Sequence, residues 1–325
     1  MKILVVRFSS IGDIVLTSSV VRAIKQQLPN VELHFLTKEQ FSGIVADNPH
    51  VDRVFTMKKS IDEVVGELKK ENYDRVVDLH NNIRTTSLKR KLGVKSTTFN
   101  KLNIRKFFLV KFKINRMPKV HVVERYFEAV KSLGVKNDKL PGDYFIPEKD
   151  NVDTLAEFAM NPSEYVSLAI GAQFKTKQMP VSLLVEIADA STKPVVLVGG
   201  MMDRNVALEV LAKTTNKHVI NTCGDYNLNQ SASIVAQSYK LVTNDTGMMH
   251  IAACFGVPIV SVWGNTTPDL GMYPYYPNQP EKFSIHQVEG LNCRPCSKIG
   301  FQECPKKHFK CMNEQNVAEI IREVN

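Results

Sequence analysis

Apolar strands alternate with amphipathic helices in two separate runs along this chain, and that rhythm limits its fold more than any other property. The first run begins with KILVVRF at the N-terminus and a helix over residues 13–27. It continues through VELHFL, FSGIVA, RVFTM, IDEVVGELKK and DRVVDLH. The second begins after Pro162 with YVSLAI and a helix from Val181. PVVLVGG, a helix from Asp203, KHVIN, a helix from Asn229, KLVTN, a helix entered through Met248-Met249-His250 and VPIVSVW complete it. Alternation of this kind predicts parallel sheets with helices on both faces, that is, an α/β protein of two doubly wound units. With 325 residues, 43% of them hydrophobic, the chain can fill two cores, each of a domain of roughly 150 residues. The expected units are residues 1–155 and 156–325, with the polar, Pro-bearing PGDYFIPEKDNVD between them. The last helix, over residues 314–324, is a candidate to lie across the junction.

Ligands of such sheets bind beyond the carboxyl ends of the strands, so the polar turns that follow the strands carry the candidate residues. In Val242–His250, VTNDTGMMH, a strand ends, a tight turn follows and a helix begins. Backbone N–H groups of Thr246 and Gly247 at that helix N-terminus suit a phosphate. Asp245 would repel phosphate, which assigns it either to capping or to a hydroxyl of whatever carries the phosphate. Plain helix capping accounts for the same motif equally well.

The turn after the first strand, RFSSIGD, has the single glycine Gly12 and lacks the G-x-G-x-x-G spacing, which disfavours a nicotinamide dinucleotide. Asp13 there is placed to accept a proton from a substrate hydroxyl, with helix capping as its alternative role. In GAQFKTKQMP, Lys177 is preferred to Lys175 as a cation that neutralises a departing diphosphate. Asp203, after VVLVGG, suits ribose hydroxyls or, with similar weight, an ordinary place on a helix surface.

The net charge of +9 is concentrated: residues 84–119 hold twelve Lys or Arg and no Asp or Glu. Within it, KLNIRKFFLVKFKINRMPK interleaves cations with Phe107, Phe108, Leu109 and Phe112. It reads as a segment for an anionic membrane surface or as an exposed basic helix whose rings pack on its own domain. Nucleic acid is not an expected partner, because aromatic residues are 8% of the chain and the charge is local. Arg7 and Asp13 interrupt the first apolar run too early for a signal sequence, and no run approaches a membrane span, so a cytoplasmic location is expected. Reduced thiols follow from that location. Cys293, Cys296, Cys304 and Cys311, spaced C-x2-C-x7-C-x6-C with His308 nearby, read as a structural zinc site or as a loop-packing cluster.

The segments SSIGDIVLTSSVVRAIK, GAQFKTKQMP and TNDTGMMHIAACFGVPIVSVWGNTTP, in this order, resemble glycosyltransferase family 9, the ADP-heptose:lipopolysaccharide heptosyltransferases. VVDLHNNIRT, HVVERYFEAVKSLGV and the terminal CRPC and CPKKHFKCM extend the resemblance nearly end to end. It implies a GT-B fold with two Rossmann-like domains facing a central cleft, and an inverting, metal-independent transfer. The nucleotide-sugar donor would be held by the C-terminal domain and the acceptor by the N-terminal one.

On this match Asp13 corresponds to the base and Lys177 to the donor-phosphate lysine. Asp245 corresponds to the acid that holds donor-sugar hydroxyls, Thr246, Gly247 and Met248 to the phosphate turn, and Asp203 to the ribose acid. His250 would orient that turn. Gly12, Arg84, His121 and Arg125 fall on the acceptor side. The implied partners are an ADP-sugar and an anionic, lipid-linked saccharide at the inner face of the cytoplasmic membrane, where the enzyme would be peripheral. Two positions depart from the common pattern: Met179 stands where a Trp precedes the proline, and Ser19 where the first helix has a proline.

Overall fold

The computed structural model describes residues 1–325. The chain divides into two compact units, Met1–Leu102 with Val120–Phe145, and Asn103–Lys119 with Ile146–Asn325. The basic, aromatic segment therefore belongs structurally with the second unit, although in sequence it interrupts the first.

The first unit is built on a parallel sheet of β1 (Lys2–Val6), β2 (Glu32–Lys38), β3 (Arg53–Met57), β4 (Arg75–Asp78) and β5 (Ser96–Thr98), in the order β3-β2-β1-β4-β5. Leu4, Val6, Leu36, Phe55, Met57 and Val76 from the strands pack with Phe8, Leu68 and Leu88. The expected single helix over residues 13–27 is two helices, Ile11–Val15 and Ser18–Gln27. Thr17 separates them, its hydroxyl bonded back to the Ile14 carbonyl at 2.6 Å, a local competitor for helical bonding.

The second unit carries β6 (Val166–Ala169), β7 (Val195–Val198), β8 (Val219–Asn221), β9 (Lys240–Asn244), β10 (Ile259–Trp263) and β11 (Phe283–Gln287). These are all parallel, in the order β11-β10-β9-β6-β7-β8. Residues of β6, β7 and β10 are buried along their whole length, as strands covered on both faces must be. The terminal helix, Val317–Val324, spends its buried residues Ile320 and Val324 on this unit's core, beside Leu183, Leu184 and Val260. No helix is long and apolar enough to cross a membrane.

Each sheet has one place where chain progression reverses. In the first it lies between β1 and β4, where Val6 is opposite Asp78; in the second it lies between β6 and β9, where Ala169 is opposite Thr243. The loops leaving such a pair turn in opposite directions and open a crevice at the carboxyl ends of the strands.

Candidate active site

In the first unit, the turn leaving β1 is organised by Arg7, a buried side chain at the end of an apolar strand. Its Nε donates to the Ser9 carbonyl at 2.8 Å, Nη1 donates to the Leu79 carbonyl beyond β4 at 2.5 Å, and Nη2 pairs with Asp13 Oδ1 at 2.6 Å. One guanidinium thus ties the two loops of the crevice together and holds the carboxylate. Burial works against the charge on Arg7, yet Asp13 and, further off, Asp78 outweigh it and raise the pKa above its ordinary value. Asp13 is also the third residue of its helix, and Ser10 Oγ donates to Oδ2 at 2.9 Å. The capping contact falls on Oδ2, whereas Arg7 holds Oδ1. Tyr126 Oη lies 3.5 Å from Oδ1, and burial raises the phenol's pKa so that it stays protonated.

Around this carboxylate the structure places Gly12 one residue before it in the same helix. The Arg84 guanidinium sits over the Phe8 ring, 5.5 Å from its centroid. His80 packs against the Phe8 ring itself, with centroids 4.9 Å apart, and is pushed down to about 3 by burial and by the charges of Arg7 and Lys101. It is therefore a neutral imidazole. His121 and Arg125 are 3% and 6% exposed. His121 Nδ1 accepts the Val123 N–H at 3.2 Å and so caps the helix Val122–Phe127, the helix that carries Tyr126 to Asp13. Arg7, Ser10, His80 and Tyr126 were not singled out from sequence. The available signal was Arg7, a cation terminating an otherwise apolar buried strand.

In the second unit, Lys177 lies in a 3₁₀ turn after β6, and Asp245 follows β9. Lys177 Nζ pairs with Asp245 Oδ2 at 2.5 Å and donates to the Asp245 carbonyl at 3.2 Å, while Thr266 Oγ1 donates to the same Oδ2 at 2.9 Å. Thr246 is the N-cap of the helix Gly247–Cys254, with extended backbone and no side-chain bond closing its first turn, and Met248 and His250 are buried in that helix. The leading N–H groups of the helix therefore have no capping side chain, and partial positive charge collects there beside the ion pair.

Asp203 lies beyond β7 and receives the Gly200 N–H at 2.9 Å. A Cβ at Gly171 would stand 2.2 Å from its Oδ2, and one at Gly199 would stand 2.9 Å from its Cβ. Two glycines at the strand ends are thus what admits this carboxylate, and burial there raises its pKa. Gln178 Nε2 reaches it at 3.5 Å and bonds the Ala172 carbonyl at 3.0 Å. Met179, at the position of the expected Trp, is buried in the core at 3% exposure, and Ser19 is fully buried in the first unit.

The cysteine loop buttresses the Lys177 turn. Thr176 Oγ1 donates to the Phe301 carbonyl at 2.9 Å and accepts the Phe301 N–H at 2.8 Å, and Phe174 occupies the space a Cβ at Gly300 would need. Burial and the neighbouring thiols push Cys296 up to about 11 and Cys311 up to about 12. Cys293 Sγ is 3.8 Å from His308 Nε2. No three donor atoms of this loop all lie within 4.8 Å of one another; Glu32, His34 and Glu71 do, and there Lys2 and Arg53 pair with Glu71.

Comparison with known proteins gives this arrangement a family. Residues 62–319 match the model of glycosyltransferase family 9 (heptosyltransferase). The chain is 26% identical over 296 residues to lipooligosaccharide heptosyltransferase 2 of Haemophilus ducreyi, which covers 82% of this chain and 84% of the relative. A crystal structure of a family 9 glycosyl transferase from Veillonella parvula superposes with a TM-score of 0.79 at 20% identity, over 99% of this chain and 95% of that one. An E. coli heptosyltransferase solved with ADP-2-deoxy-2-fluoro heptose gives 0.68 at 22% identity, over 89% and 94%. This chain belongs to glycosyltransferase family 9 and has its GT-B fold.

Proposed function

We propose that this glycosyltransferase moves a heptose from ADP-heptose to a hydroxyl of an anionic, lipid-linked inner-core saccharide, without a catalytic metal and with inversion. The observation that carries the reading is the Lys177–Asp245 pair at the mouth of the helix Gly247–Cys254, with Asp203 at the neighbouring strand end. A relative crystallised with an ADP-heptose analogue and relatives described as lipooligosaccharide and lipopolysaccharide heptosyltransferases support the donor and acceptor classes.

In this mechanism the Asp13 carboxylate takes the proton of the acceptor hydroxyl as its oxygen attacks the anomeric carbon. The bond from that carbon to the β-phosphate oxygen breaks, and ADP leaves with the electron pair. A single displacement inverts the centre. Charge developing on the diphosphate is met by Lys177 and by the N–H groups at Gly247 and Met248, preorganised donors each contributing about 3 kcal/mol in comparable sites. Asp245, steadied by Lys177 and Thr266, accepts donor-sugar hydroxyls, and Asp203 accepts those of the ribose. Arg84 contributes a cation on the acceptor side. Arg7 and Tyr126 fix Asp13 in position, which is where most of the orienting advantage lies. The cysteine loop clamps the Lys177 turn through the paired hydrogen bonds of Thr176 and Phe301, and in this reading its four thiols are loop-packing groups, since no three of its donor atoms are close enough together to share a metal ion.

The test is calorimetric titration with ADP-heptose beside UDP- and GDP-sugars, followed by ADP release with a Kdo-lipid A acceptor. Selective ADP-heptose binding and acceptor-dependent release are the expected results. Preference for a UDP- or GDP-sugar would overturn the donor and leave the reaction class standing.

A further inference from the structure

The helix Asn103–Phe112 is mounted with its apolar stripe facing away from the protein. Ile104, Phe107, Phe108 and Phe112 follow the spacing of one helical face. They are 74%, 56%, 40% and 54% exposed, while Leu109 on the opposite side is 3% exposed. The three Phe rings pack on one another, with centroids 6.0, 5.8 and 5.6 Å apart. The arrangement is held in place: Lys113 Nζ donates to the Pro295 carbonyl at 2.7 Å, and Asn115 Nδ2 donates to Asp269 Oδ2 at 2.9 Å. A helix anchored by one face, with its aromatic face outward, is an interaction surface, since soluble proteins seldom leave such clusters uncovered.

Charge selects the occupant. The helix and its flanks carry Arg105, Lys106, Lys111, Arg116 and Lys119 besides the anchoring Lys113, and the stretch over residues 84–119 has no acidic residue at all. Aromatic rings ringed by long cationic side chains match an anionic lipid interface, where the rings enter the headgroup and acyl boundary and the cations reach lipid phosphates. We infer that Asn103–Phe112 docks the enzyme on anionic membrane. The inference rests on the proposed reading for its purpose, a lipid-linked acceptor, but the docking itself is measurable without that reaction.

The experiment is sedimentation of the full chain with vesicles of phosphatidylcholine alone and of an equimolar mixture with phosphatidylglycerol. The wild type is expected to sediment with the mixed vesicles only, and less as salt rises. Combined Phe107→Ser, Phe108→Ser and Phe112→Ser should lower partitioning by about tenfold or more, as should Arg105→Glu with Lys111→Glu. Because these side chains are exposed, the melting temperature should not fall. ADP release with a deacylated, water-soluble acceptor should match wild type, while release with acceptor in vesicles should drop. A triple-Ser variant that sediments like wild type, or a wild type that ignores phosphatidylglycerol, overturns the inference. So does a wild-type dimer, seen by gel filtration, that the triple-Ser variant abolishes. Vesicle binding without heptosyl transfer would leave docking intact and overturn only the reaction assigned above.

Discussion

Lys177 and Asp245 stand 68 positions apart in the chain and meet at 2.5 Å, one beyond β6 and the other beyond the adjacent β9. The pair resolves what is awkward about a carboxylate beside the helix end proposed to take the donor phosphate, because the ammonium offsets its charge and its carbonyl and carboxylate both hold the lysine in place. Lys177→Ala is expected to weaken ADP binding and to lower kcat together, by roughly 10²-fold in kcat. Titration with ADP and a steady-state ADP-release assay check both. Unchanged ADP affinity would remove Lys177 from the donor site.

Asp13→Asn keeps the shape of the side chain and removes its basicity, so kcat should fall by about 10²- to 10⁴-fold while ADP-heptose affinity stays near wild type. Arg7→Met should show a smaller kcat loss together with a stability loss of about 3 kcal/mol, since it removes the ion pair to Asp13 and the donor to the Ser9 and Leu79 carbonyls. Urea titration measures the second effect. An Asp13→Asn enzyme with wild-type turnover would rule out the base assignment.

Gly171→Ala is expected to displace Asp203, because the new Cβ would fall 2.2 Å from its carboxylate oxygen. ADP affinity should fall by at least about tenfold, the equivalent of ~1.4 kcal/mol, and Asp203→Ala should reproduce the loss. If Gly171→Ala binds ADP normally while Asp203→Ala does not, the close approach is relieved by another movement.

His80, pushed down to about 3, gives the fold an acid sensitivity with a definite sign. Below the ordinary pKa of about 6.5 the unfolded chain binds a proton that the folded chain refuses, so the contribution is fully present above that pH and is lost as pH falls toward 3. Between pH 7 and pH 5 this one group accounts for about 2 kcal/mol at most. His80→Phe should flatten the pH dependence of urea unfolding by that amount. An unaltered slope would mean that other groups, such as the buried His34 and His286, whose pKa values burial also lowers, carry it.

β1, β4, β6, β7, β9 and β10 announce themselves by near-continuous apolar runs, and β2, β3 and β8 were legible in VELHFL, RVFTM and KHVIN. β5, with the sequence STT, and β11, with FSIHQ, were not legible, because neither carries a continuous apolar run. The turn chemistry of the site was equally local: a carboxylate, a lysine and small residues at strand ends identify candidate groups wherever the strands go. What the sequence determined by itself was therefore the alternation, the two units and a set of candidate side chains at the strand ends.

Only the tertiary structure decided which of these side chains meet. Strand order set β1 beside β4 and β6 beside β9, which brought Arg7 to Leu79, and Lys177 to Asp245. It also mounted Asn103–Phe112 on the second unit with its Phe stripe outward, where helical periodicity alone would have turned that stripe inward. Periodicity reports that a face is apolar, and local propensity reports a turn. Neither contains the long-range pairing of strands, and that pairing fixes what each face and each turn is set against.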